Sequence, residues 1–354
     1  MQSNSATPSP LRNPTRRGFL AALTGTAIVA FTAQASAQDD VRHIEQVHTA
    51  GSRSYVREAM HGERGTTLLL SLRNAPFPAP NAGYKDDTVI VFVPSYFRAP
   101  RDGRISVLVH FHGHSSTAAS AMQSHELREQ FFDSKQNAIL VIPQGPVNAT
   151  DSSAGKLEAP GGLQRMLEDV LATLCTHDAR MALHDSAIGR ARHAAPRIGT
   201  VCLSSHSGGY HAAACCIRAG GVEINEVYLF DSLYADVDVF RDWVVAGKGR
   251  PARSRHKLVS YYTGGTTAAM SMQVKAALER SGVRCVAEAK EGTLSRAEIT
   301  LAEAVFVQTG LNHHGVTYEL NSLRDCLYAS GMHRYLRSTW FDNKLDPRPL
   351  EHRQ

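Results

Sequence analysis

From Arg197 to Ser204 the chain reads as a buried strand. It then breaks into the small-residue turn Ser205-His206-Ser207-Gly208-Gly209 and resumes with helical spacing over 210–219. A run that is apolar on both of its alternating faces is a strand covered on both sides, the situation of a parallel sheet flanked by helices. The same grammar recurs along the chain. Strand-length apolar runs at 67–72, 88–93, 105–111, 138–142, 227–230, 258–262 and 304–308 alternate with room for helices at 118–132, 163–174, 239–246, 268–280 and 316–328. The first two runs flank a Pro/Gly/Asn-rich loop at 74–84 and predict a hairpin-like antiparallel entry. The rest predict an α/β fold with a mostly parallel central sheet and helices on both faces.

The first residues stand outside this pattern. Asn13 to Leu20, with Arg16 and Arg17 at its centre, resembles the twin-arginine export motif, and an apolar stretch at 21–33 leads to Ala35-Ser36-Ala37. Thr24, Gly25, Thr26 and Thr32 interrupt that stretch, which falls short of the ~20 residues a spanning helix needs. Residues 1–37 therefore read as a signal peptide cleaved after Ala37 and handled by the twin-arginine export machinery. The expected location is periplasmic or secreted, with no stable membrane insertion after cleavage, and 38–354 is expected to form one domain.

Composition narrows the partners. The net charge is +5, of which Arg12, Arg16 and Arg17 supply three, leaving +2 after the leader. So small and dispersed a charge argues against nucleic acid or an anionic membrane. The six cysteines include no Cys-x-x-Cys pair, so a thiol or cysteine-zinc site is not expected. Cys202 on the strand before the turn, and Cys215 and Cys216 on the helix after it, read as buried thiols.

A side chain at the tip of a sharp strand-to-helix turn stands clear of the backbone, and the following N–H groups point at whatever it attacks. That turn needs small residues two before and two after its tip. Here they are Ser205 and Gly209, which makes Ser207 the candidate nucleophile, with Ser205 in place of the usual glycine. Acyl transfer also needs a base, a group that orients the base, and donors for the oxyanion, all at the carboxyl ends of strands. Asp231 directly follows the 227–230 strand and is the candidate acid, since the next strand end, Thr263-Gly264-Gly265-Thr266, carries none. His313 and His314 follow the last strand. Adjacent histidines point different ways, and the freedom that Gly315 gives the loop favours His314 as base, with His313 the alternative. For the oxyanion hole, the His112-Gly113 strand end suggests the N–H of His114, beside that of Gly208.

The order Ser207, Asp231, His314, with His112-Gly113 upstream, resembles the α/β-hydrolase superfamily, in particular secreted esterases of the polyhydroxyalkanoate depolymerase-like and feruloyl-esterase-like kind. The resemblance runs from about Thr67 to the C-terminus. It implies an α/β-hydrolase fold, cleavage of carboxylic esters or amides of a small-molecule or polymer-derived substrate, an acyl-enzyme on Ser207, and no cofactor. Loop 143–162 is a possible specificity loop, with Asp151, Lys156 and Glu158 as polar contacts and Tyr210 and Tyr234 as pocket or packing residues. Two alternatives remain open. One is a non-catalytic binding protein on a hydrolase scaffold. The other is a zinc-dependent hydrolase using His110, His112 and His114, which would share one face of a straight strand.

Overall fold

The computed structural model describes residues 40–43, 53–80, 82–150, 153–183, 188 and 194–334. The leader expected at 1–37 and Asp151 lie outside the described residues. Among those residues eleven strands form one sheet. They are β1 (Asp40–His43), β2 (Tyr55–Gly62), β3 (Gly65–Ser71), β4 (Thr88–Pro94), β5 (Arg104–Phe111), β6 (Ala138–Pro143), β7 (Arg197–His206), β8 (Ile224–Phe230), β9 (Lys257–Tyr262), β10 (Cys285–Glu288) and β11 (Ala304–Gln308). Their order is β1-β2-β3-β4-β6-β5-β7-β8-β9-β11-β10. Pairing is antiparallel from β1 to β4 and between β4 and β6, and parallel at every later step. An antiparallel entry, the exchange of β5 and β6, and a parallel run to the far edge are the α/β-hydrolase arrangement.

The helices are α1 (Ala118–Ser124), α2 (Leu127–Asp133), α3 (Gly162–Leu174), α4 (His177–Ala182), α5 (Tyr210–Ala219), α6 (Val237–Ala246), α7 (Gly265–Arg280), α8 (Arg296–Leu301) and α9 (Ser322–Tyr328). They cover both faces, and the alternation along β4 shows how. Val89, Val91 and Val93 join a core with Leu163 and Met166 of α3, Phe240 of α6 and Val274 of α7. Ile90 and Phe92 point the other way, against Met122 of α1, Phe131 of α2 and Leu323 of α9. The apolar stripe of α3 is buried at Leu163, Met166, Leu167, Val170, Leu171 and Leu174, as its spacing predicts.

Three departures from expectation have local causes. The helix expected at 118–132 is two, because Glu126 turns left-handed (φ +47°) between α1 and α2. The helix expected at 316–328 is a 3-10 turn at Gly315–Thr317 and then α9, separated by Asn321 at φ +57°. Strands β1, β2 and β10 lie outside the predicted runs. Both β2 and β10 are partly exposed, and β2 carries Arg57, Glu58 and His61 where a buried strand would carry apolar residues. All six cysteines are free thiols, and Cys202, Cys215, Cys216 and Cys326 are buried.

The strands' amino ends hold an unusual group. Lys257, the first residue of β9, is fully buried, and its Nζ donates to the carbonyls of Ile299 (2.7 Å) and Ala329 (3.0 Å). Arg255 donates to the same Ala329 carbonyl (3.2 Å). Glu226, also buried, accepts from Tyr228 Oη (2.9 Å) and from Gly331 N–H (2.7 Å). Burial pushes the Lys257 ammonium down to about 8, against the pull of Glu226. This charged knot ties the segment after α9 to the sheet. Lys257→Ala removes a buried cation and a donor to two carbonyls, so chemical denaturation should show a loss of roughly 3 kcal/mol; an unchanged midpoint would contradict the assignment.

Candidate active site

Strand β7 ends at His206, α5 begins at Tyr210, and a single 3-10 turn, Ser207–Gly209, joins them. Ser207 has φ +52°, in the left-handed region that costs a side-chain-bearing residue about 1–3 kcal/mol. Close contacts and hydroxyl bonds oppose that strain. A Cβ on Gly209 would stand 2.5 Å from Phe111 O, so the turn after the serine lies directly on the end of β5. Ser232 Oγ donates to Ser207 O (2.6 Å) and is itself 2.8 Å from Ser205 Oγ. The serine that replaces the customary glycine at 205 is thus fully buried and supports the clamp on the turn.

Asp231 follows β8 at φ +44°, beside the end of β7. Its Oδ1 accepts from Thr263 N–H (3.0 Å) and from the Thr267 hydroxyl; its Oδ2 accepts from Thr263 Oγ1 (2.8 Å) and lies 2.6 Å from His313 Nδ1. Burial works to raise this carboxyl, but the bonds from His313, Thr267 and Thr263 outweigh it and hold it down at about 2. The carboxylate is therefore ionised, and His313 Nδ1 is fixed as a donor, leaving Nε2 free. Thr263 and Thr267 were not singled out from sequence.

The preference for His314 is corrected here. Asp231 holds His313, while the His314 ring packs on His125 (5.2 Å between centroids) and Tyr318 (5.8 Å). Asn312 Oδ1 accepts the N–H groups of His314 (3.0 Å) and Gly315 (2.8 Å), a turn that starts the following 3-10 helix. Gly315 is buried and has no left-handed backbone that would require a glycine, so the loop freedom expected of it is not what selects the histidine.

The loop after β5 lies against the serine. A Cβ on Gly113 would be 2.7 Å from Ser207 Cβ and 3.1 Å from His206 O, so only glycine fits. His114 follows, exposed, and Ser115 (φ +57°) donates its N–H to Val147 O (2.6 Å). Both N–H groups expected in the oxyanion hole, those of His114 and Gly208, thus belong to segments flanking Ser207. Tyr234 lies on the same side, its ring centroid 6.1 Å from that of Tyr210.

The zinc alternative lacks its geometry: β5 ends at Phe111, so His112 and His114 do not continue the alternation that His110 begins. His110 bonds Ser204 Oγ (2.8 Å), and His112 uses Nδ1 on Gly113 O (2.9 Å) and Nε2 on Gly145 N–H (2.9 Å). Among the described residues no group of three or more His, Cys, Asp or Glu is placed to hold a metal ion. In loop 143–162, Lys156 Nζ donates to Arg73 O (2.8 Å) in the connection between β3 and β4, and Glu158 accepts from Ala154 N–H (3.1 Å) within the loop, so both serve structural contacts.

Behind the site lies a group of histidines, of which His125 and His206 have no role in the sequence reading. His206 packs 4.4 Å from His125 and 4.6 Å from His313 between ring centroids, and His125 lies 6.4 Å from His110. Burial holds all of them neutral, pushing His206 down to about 4, His110 to about 3, and His125 and His112 below their ordinary value.

No family model matches the sequence, and no curated protein does. Among solved structures, the chain is similar to a ferulic acid esterase (14% identity, 78% of this chain and 99% of that one, TM-score 0.42). It is also similar to the S-formylglutathione hydrolase from Agrobacterium tumefaciens (11% identity, 77% and 96%, TM-score 0.38). A third is the feruloyl esterase module from Clostridium thermocellum complexed with sinapinate (11% identity, 81% and 91%, TM-score 0.42).

The neutral histidines make stability sensitive to acid. Their folded values lie below the unfolded imidazole value of about 6.5, so the unfolded chain takes up protons that the native state refuses. Their cost is absent above that pH and grows as pH falls through about 4 for His206 and about 3 for His110. Asp231, held at about 2, loses its contribution only in stronger acid. The melting temperature should therefore fall between roughly pH 6.5 and 4.5, above the carboxylate range; a flat profile there would contradict the neutral assignment.

Proposed function

We propose that this chain is a serine hydrolase acting on carboxylic esters, with amides as secondary substrates, outside the cytoplasm after removal of its twin-arginine leader. What supports the reading is a strained Ser207 at the end of β7 together with an Asp231–His313 pair closed at 2.6 Å, its carboxylate following the neighbouring strand β8. His313 Nε2 takes the proton of Ser207 Oγ as the oxygen attacks the ester carbonyl carbon. The tetrahedral oxyanion meets the N–H groups of Gly208 and His114. His313 returns the proton to the departing alkoxide, which leaves an acyl group on Ser207. A water activated by the same nitrogen then releases the acid and restores the serine. Asp231 keeps the ring in the tautomer this requires and stabilises the imidazolium. No step in this sequence calls on a cofactor.

Turnover of a p-nitrophenyl ester by single variants tests the assignment. Ser207→Ala, His313→Ala and Asp231→Asn should each lower kcat by roughly 10⁴-fold or more, while His314→Ala stays within about tenfold of wild type. An active His313→Ala beside a silent His314→Ala would reverse the choice of base.

A further inference from the structure

We propose that His206, the residue before the nucleophile, is a positioning residue that ties the main chain of His313 to the nucleophile strand. The inference rests on the reading of Ser207 and His313 as nucleophile and base. The His313 side chain is 45% exposed, so packing alone does not fix its ring. Asp231 holds one ring nitrogen, and a ring held at one atom still swings if its backbone shifts. That backbone belongs to the connection between β11 and the 3-10 turn at Gly315–Thr317. Its local bonds are Thr309 N–H to Tyr262 O (3.1 Å), Leu311 N–H to Thr309 Oγ1 (3.2 Å) and the Asn312 turn. None of these reaches β7.

His206 does. Its Nε2 lies 2.8 Å from His313 O and, facing a carbonyl, must be the donor. Its ring is held between His125 and His313, and its backbone closes β7 in register with Phe230 of β8. Being covalently joined to Ser207, it links nucleophile and base through one buried side chain. The ionisable groups around it are His110, His125, His313, His314 and Asp231. In this setting it donates while neutral. That matters for the reaction, because a second imidazolium beside His313 would oppose proton transfer to the base.

Glutamine places an amide N–H near the position of Nε2, and phenylalanine fills the space without a donor. In the full chain, His206→Phe should lower kcat for a p-nitrophenyl ester about 10–100-fold with KM within about twofold of wild type, as expected for a misplaced base and not for lost binding. His206→Gln should restore kcat to within about threefold of wild type. Wild-type kcat in the phenylalanine variant, or equal losses in both variants, would overturn the proposal. If His206→Phe does not fold, ¹⁵N spectra of histidine-labelled wild type decide: His206 is expected as the Nε2–H tautomer, and an Nδ1–H tautomer would overturn it. That spectrum also separates the two claims, because a wild type without esterase turnover would refute the proposed function while the tautomer still judged the link.

Discussion

Ser207 is held with φ near +52°, a conformation that its side chain disfavours, and the surrounding strand ends are arranged to keep it there. Gly209 lies on the end of β5, and Gly113 comes so close to the serine from that strand's loop that no Cβ could intervene. Ser232, at the end of β8, clamps the turn's carbonyl. The neighbour of Ser232 is Asp231, so one strand end supplies both the clamp and the carboxylate. Because β5, β7 and β8 are consecutive neighbours in the sheet, a shift in either pairing would separate the serine from its supports. The central parallel run is in this sense part of the site.

Charge follows the same economy. A buried carboxylate is tolerable only when its lone pairs are used, and Asp231 uses both oxygens on Thr263, Thr267 and His313. The histidines behind the site take the opposite course and stay neutral, which keeps positive charge away from His313, the base proposed above. The cost is a native state that resists protonation in mild acid. At the other end of the sheet, Lys257, Arg255 and Glu226 hold the chain after α9, so the two ends of the same strands serve different purposes.

The central strands were legible because burial on both faces leaves an almost unbroken apolar run, and the strand ends then located Ser207 and Asp231. Strands near the margin of the sheet leave no such mark: β2, between β1 and β3, mixes Arg57, Glu58 and His61 with apolar residues because part of it meets water. Single left-handed residues such as Glu126 and Asn321 split helices whose spacing reads as continuous. The choice between His313 and His314 depends on which ring Asp231 reaches, a contact between residues 82 apart that spacing does not reveal. Thr263, Thr267 and His206 act through bonds to groups distant in sequence. A threonine after a strand, or a histidine inside a tight turn, carries no signal of what it will touch.

The central claim, that the strained turn makes Ser207 a nucleophile, is tested most directly by treating the purified protein with a fluorophosphonate, weighing it intact and mapping the modified peptide. The account predicts one adduct per chain, on Ser207, lost on prior unfolding. A folded protein that takes up no label, or takes it elsewhere, would contradict it.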